Sequence, residues 1–87
     1  MQYKHYDLRI LPAGKFVEIN LIGNAANVKL MDTSNFINYK NGRAHRYFGG
    51  YITSSITKLP IPSHGHWHLT IDLGGYSGSV HSSVNIY

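Results

Sequence analysis

The stretch His64-Gly65-His66-Trp67-His68 carries the densest chemistry in the chain. On a strand, alternate residues share a face, so His66 and His68 stand about 7 Å apart along the backbone on the same side. Two imidazoles at that spacing suit one divalent cation, zinc above all. A protein site needs at least a third donor. If the strand that returns from this one is its neighbour, His68 lies opposite Asn85, His66 opposite Tyr87, and His81 faces Asp72, about 13 Å further along. Other donors would then have to come from His64, or from His5 and Asp7 if the first strand is adjacent. The preferred reading is a solvated sheet face whose polar residues happen to be imidazoles, with no cofactor and no stoichiometric zinc. A metal site on His66 and His68 is the alternative.

Asp72, His81 and Ser83 can be drawn as a hydrolytic triad, but an ordinary Asp–His cross-strand pair explains them as well. Gly75-Tyr76-Ser77-Gly78-Ser79 misses the G-x-S-x-G nucleophile elbow at its last position. The same loop joins two strands instead of opening a helix, so it is no phosphate cradle. With one glutamate and three aspartates, a carboxylate dyad is not expected either. The reading is a non-catalytic protein. A third feature is the run from Tyr39 to Tyr51, where Lys40, Arg43 and Arg46 interleave with aromatics. Lys40, Arg43, Arg46, Tyr47 and Tyr51 would hold an anionic ligand, the cations on a phosphate and the rings stacked on a base or sugar. The competing reading makes the aromatics one end of the core and the cations its solvated rim.

These side chains must be positioned by strands. Glu and Gln occur once each, while Ile, Thr, Tyr and Gly are plentiful. Val17, Ile19 and Leu21 alternate with Glu18 and Asn20; Ala26, Val28 and Leu30 alternate with Asn27 and Lys29. Gly23-Asn24 between them fits a type II′ hairpin. Closing there pairs Leu21 with Ala26, Ile19 with Val28, Val17 with Leu30 and Glu18 with Lys29. Tyr3 to Ile10 reads as a first strand with Tyr6, Leu8 and Ile10 inward. Asp32-Thr33-Ser34-Asn35 supplies helix caps for a short helix over Asn35 to Asn41, with Phe36 and Tyr39 on one side. A second hairpin is expected at Gly49-Gly50, joining His45–Phe48 to Tyr51–Thr57. Pro60 and Pro62 mark an edge or linker segment. In the last third Trp67, Leu69, Ile71 and Leu73 share one face and His66, His68, Thr70 and Asp72 the other. A returning strand pairs Leu73 with Val80, Leu69 with Val84 and Trp67 with Ile86.

The 87 residues make a single domain, 1–87, of compact antiparallel β-sandwich with about seven short strands and one short helix. No more than two residues of the AVILMFWYC set stand side by side, which excludes a membrane-spanning helix and a signal-peptide core. There is no cysteine, hence no disulfide framework. Eight Lys and Arg against four Asp and Glu give a net charge of +4, a mild preference for acidic partners.

Several segments in this order also carry a family likeness. They are Leu11-Pro12-Ala13-Gly14, Gly23-Asn24-Ala25-Ala26-Asn27-Val28, Leu30-Met31-Asp32 with Ser34-Asn35-Phe36 and Tyr39, Gly49-Gly50, Gly65-His66-Trp67-His68 and Asp72-Leu73-Gly74-Gly75. Together they resemble the bacterial domain of unknown function 1883, nearly end to end. The resemblance implies a compact β-sandwich, sometimes fused ahead of a TIR-type signalling domain, and transfers no catalytic residue. The function expected is therefore a cytoplasmic recognition or interaction module. Its partner would be an anionic small molecule or a protein such as a TIR-type effector. No membrane partner is expected, and nucleic acid is disfavoured.

Overall fold

The computed structural model describes residues 2–87. Seven strands and one helix follow in chain order: β1 (Tyr3–Leu11), β2 (Phe16–Gly23), β3 (Ala26–Asp32), α1 (Thr33–Lys40), β4 (Phe48–Ile52), β5 (Ile56–Pro60), β6 (Gly65–Asp72) and β7 (Val80–Ile86). They form two antiparallel sheets, one with the order β1-β6-β3-β4 and one with the order β5-β2-β7. The all-β sandwich class is as the composition and alternation require. Among the described residues no helix is long and apolar enough to cross a membrane.

The alternation in each run sets which side chains turn inward. Val17, Ile19 and Leu21 of β2 pack against Ala26, Val28, Leu30, Trp67, Leu69 and Ile71 of the facing sheet, all buried. Neighbour relations are a different matter. The hairpin expected at Gly23-Asn24 is absent: β2 lies in the three-stranded sheet and β3 in the four-stranded one. Their apolar faces meet across the sandwich instead of side by side. Glu18 accordingly stands opposite Lys58 of β5, 4.0 Å away, and not Lys29.

The other two expected hairpins fail for the same reason. β6 is flanked by β1 and β3, while β7 pairs with β2, with Val84 opposite Ile19 and Ile86 opposite Val17. Gly49 and Gly50 lie inside β4, opposite Lys29 and Val28. Gly49 has φ +115, and a Cβ there would sit 2.2 Å from the Val28 carbonyl oxygen. That close approach, not a turn, is what the glycine permits. Pro60 does end an edge strand, β5.

In β1, Tyr6 and Leu8 turn inward as expected, but Ile10 is 59% exposed. A bulge shifts the register between Asp7 and Arg9, with Arg9 at φ +66, so Leu11 points in instead. The helix starts two residues earlier than expected, with Asp32 as N-cap accepting from the Asn35 N–H at 3.0 Å. Phe36 and Tyr39 are its buried face.

Candidate functional site

The four-stranded sheet carries α1 on its outer face, and that placement changes the character of β6. Trp67, Leu69 and Ile71 face the core, while His68, Thr70 and Asp72 lie at most 5% exposed on the opposite side. They share one face, as the alternation requires. It is not the solvated face expected, because α1 packs over β6 and β3.

Asp72 holds the C-terminal half of the helix down. Its carboxylate accepts from the Tyr39 hydroxyl at 2.6 Å, the Asn27 amide at 3.0 Å and the Gly74 N–H at 2.8 Å. Gly74 takes φ +66, which lets the chain turn back onto the carboxylate. Asp72 is opposite Tyr3 and Asn27, whereas His81 is opposite Ile22 in the other sheet, so the Asp72–His81 cross-strand pair does not exist. Burial pushes the Asp72 carboxyl up, but the three hydrogen bonds and the nearby Lys29 charge outweigh it and hold the group below its usual value. Burial first, then Asp72, pushes the Tyr39 hydroxyl up.

A measurable consequence follows from that pair. A depressed carboxyl stabilises the fold above its unfolded value of about 3.9, and the contribution is lost as pH falls through the lower folded value. Tyr39→Phe removes one charge-assisted donor and is expected to cost about 1.5–3 kcal/mol at pH 7. Urea unfolding at pH 7 and at pH 3 should show the difference from wild type shrinking in acid. A difference independent of pH would mean that the hydroxyl does not serve the ionised carboxylate.

On the β1 side of α1, a histidine group forms that strand pairing at long range creates. β1 runs beside β6, with Asp7 opposite His68 and His5 opposite Thr70. His66 Nε2 is 2.7 Å from Asp7 Oδ1, and His5 Nε2 is 2.9 Å from His68 Nδ1. His68 Nε2 is 2.8 Å from the Thr33 hydroxyl at the start of α1. The His66 and His68 rings stack at 4.6 Å, and Phe36 stacks on His68 at 4.7 Å and on His5 at 4.1 Å. Burial is the main influence lowering His5 and His68 from the ordinary imidazole value. The hydrogen bond from His66, then that from the Arg9 N–H, holds Asp7 at about 2. His66 and His68 were legible as a pair. The further donors named with them, His5 and Asp7 if the first strand is adjacent, stand beside them because β1 does pair with β6; His64 has no contact with the group among the hydrogen bonds described.

On the β4 side, the segment after the helix runs back along it, with the Arg46 N–H donating to Asn35 Oδ1 at 2.7 Å. Lys29 of β3 donates to His45 Nε2 at 3.1 Å, and the His45 Nδ1–H donates to the Arg43 carbonyl at 2.9 Å. The Lys29 ammonium stands 4.6 Å from the Tyr47 ring centre and 5.2 Å from that of Tyr39. Tyr51 sits opposite Asn27, two positions along β4 from Gly49, the partner of Lys29. Arg43, Arg46 and Tyr47 follow α1 on this side and Tyr51 lies on the adjoining β4, all of them exposed, Tyr47 44% and Tyr51 69%. Lys40 does not join them; its ammonium lies 5.9 Å over Phe36, on the histidine side of α1. The sequence reading missed Lys29 and His45. Lys29's outward position on its strand was the available signal.

Comparison with known proteins adds one match. A family model described as "Domain of unknown function (DUF1883)" matches residues 1–87. No curated protein and no solved structure matches.

Proposed function

The chain belongs to the DUF1883 family of domains of unknown function, and as that description carries no activity, we propose from its surface that it is a non-catalytic recognition module, working in the cytoplasm. Its partner is an anionic, phosphate-bearing ligand held on the outer face of the four-stranded sheet, along the β4 side of α1. The observation that carries this reading is unneutralised charge beside exposed rings. Between Asp32 and Asp72 the chain has no Asp or Glu. Among the described residues, Lys58–Glu18 is the single Lys or Arg paired with a carboxylate. Among the described residues, neither Arg43 nor Arg46 has a carboxylate within 4.0 Å, although Asp32 lines the same cleft as Arg46, and Lys29 is aligned nearby by aromatic rings.

The non-catalytic part rests on how the chain's candidate hydrolytic groups are used. Asp72 is committed to Tyr39, Asn27 and Gly74, and His81 and Ser83 are on β7 of the other sheet.

The test is the affinity of a nucleoside triphosphate for wild type and for Arg43→Gln/Arg46→Gln. Two lost charge-assisted contacts should weaken binding at low salt at least about tenfold. Lys58→Gln, on the other sheet, should change affinity little. Equal losses in the two variants would reduce the effect to net charge, and no loss in the double variant would remove the strip as the site.

A further inference from the structure

We propose that His5, Asp7, His66 and His68 form a binding site for one transition-metal dication of the Zn2+ class, bridging β1 to β6 beside the start of α1. The site is distinct from the anion strip, which lies across α1 from it.

The donor atoms are already gathered. The ligand atoms of Asp7, His66 and His68 all lie within 4.8 Å of one another, and His5 Nε2 is 2.9 Å from His68 Nδ1. Zinc bonds of about 2.0–2.2 Å place tetrahedral ligands about 3.3 Å apart. Side-chain rotation on two hydrogen-bonded strands is the movement that would close the difference. The 2.9 Å contact between His5 and His68 and the 2.7 Å contact between His66 and Asp7 each hold two ring or carboxylate atoms around a single shared proton. A dication among Asp7, His66 and His68 takes their lone pairs at once, with His5 as the fourth donor from its place beside His68.

The surroundings fit such a site in three ways. First, the Thr33 hydroxyl is placed to accept from His68 Nε2–H, which would leave the Nδ1 lone pair facing His5, the orienting role that outer partners play around metal-bound imidazoles. Second, Phe36 stacks on both His5 and His68 and sets the planes of their rings. Third, solvent reaches three of the four residues: His5 is exposed and the Asp7 and His66 side chains are 35% and 38% exposed, while His68 is buried at 5%. Three nitrogens and one carboxylate oxygen favour zinc, copper, nickel or cobalt over magnesium and calcium, which prefer oxygen.

The experiment uses the full chain without a histidine tag. Zn2+ is titrated calorimetrically, and Co2+ is added separately to read coordination from its visible spectrum. The proposal expects about one equivalent of Zn2+ per chain, and for Co2+ the intense bands of a four-coordinate site. His66→Ala, at a half-buried position, and Asp7→Ala, at an exposed one, should each weaken Zn2+ binding at least about tenfold while leaving the far-ultraviolet circular dichroism unchanged. His81→Ala, on the other sheet, should have no effect. His68→Ala is avoided as the main variant, because His68 also holds Thr33. Substoichiometric Zn2+, a purely six-coordinate Co2+ spectrum, or wild-type affinity in His66→Ala and Asp7→Ala would overturn the site. Neither result bears on the anion strip, whose variants carry none of these residues.

Discussion

Replacing Trp67 by alanine is expected to destabilise the domain by about 3–5 kcal/mol, against a total of about 5–15 kcal/mol for a domain of ordinary stability. The indole is 6% exposed and lies in the core between the sheets. Its N–H donates to the Ser63 carbonyl at 2.9 Å, and its ring meets Phe48 edge-on at 6.3 Å. Truncation opens a cavity under β6, the strand on which both sides of the sheet depend, and leaves the Ser63 carbonyl without its donor. Urea unfolding followed by circular dichroism reads the loss directly. A change below about 1 kcal/mol would mean that the indole is not a core residue.

Gly49→Ala is the second large effect, about 3 kcal/mol or more. Two costs add: an alanine at φ +115 is strained, and its Cβ would meet the Val28 carbonyl oxygen at 2.2 Å, a backbone atom that cannot swing aside. Gly50→Ala provides the comparison. It has φ +146 but open space around the added carbon, so only the conformational cost, about 1–2 kcal/mol, applies. Had Gly49-Gly50 formed the tip of a hairpin, the two substitutions would behave alike. Equal destabilisation would therefore contradict the placement of Gly49 inside β4 against β3.

These two residues show what was legible in the sequence. Alternation revealed which side chains are buried, since Val17, Ile19, Leu21, Ala26, Val28, Leu30, Trp67, Leu69 and Ile71 are all in the core. It did not reveal which strand lies beside which. Two alternating runs bury their apolar faces equally well as hydrogen-bonded neighbours or as facing layers, and a Gly-Asn connection serves either arrangement. Among the described residues β3 and β4, linked through α1, are the one consecutive pair of strands that is hydrogen-bonded; every other connection changes sheets. The helix was legible because capping is local: Asp32 and Asn35 are three residues apart.

The histidine site was half legible for the same reason. His66 and His68 share a face by period two, and no long-range information is needed to see it. Asp7 and His5 reach them from 59 and 63 residues away, through the pairing of β1 with β6. That pairing depends on the sheet order, which local pattern does not encode. The bulge between Asp7 and Arg9 likewise left no trace in the alternation of Tyr6, Leu8 and Ile10.

The proposed anionic partner binds on the outer face of the four-stranded sheet, along the β4 side of α1. Amide chemical-shift mapping with a nucleoside triphosphate, at low and then moderate salt, tests it most directly. Shifts are expected at Lys29, across Arg43 to Tyr47 and at Tyr51, shrinking as salt screens the cations. Shifts confined to β2, β5 and β7, or to His5, Asp7, His66 and His68, or no shifts at millimolar ligand, would contradict it.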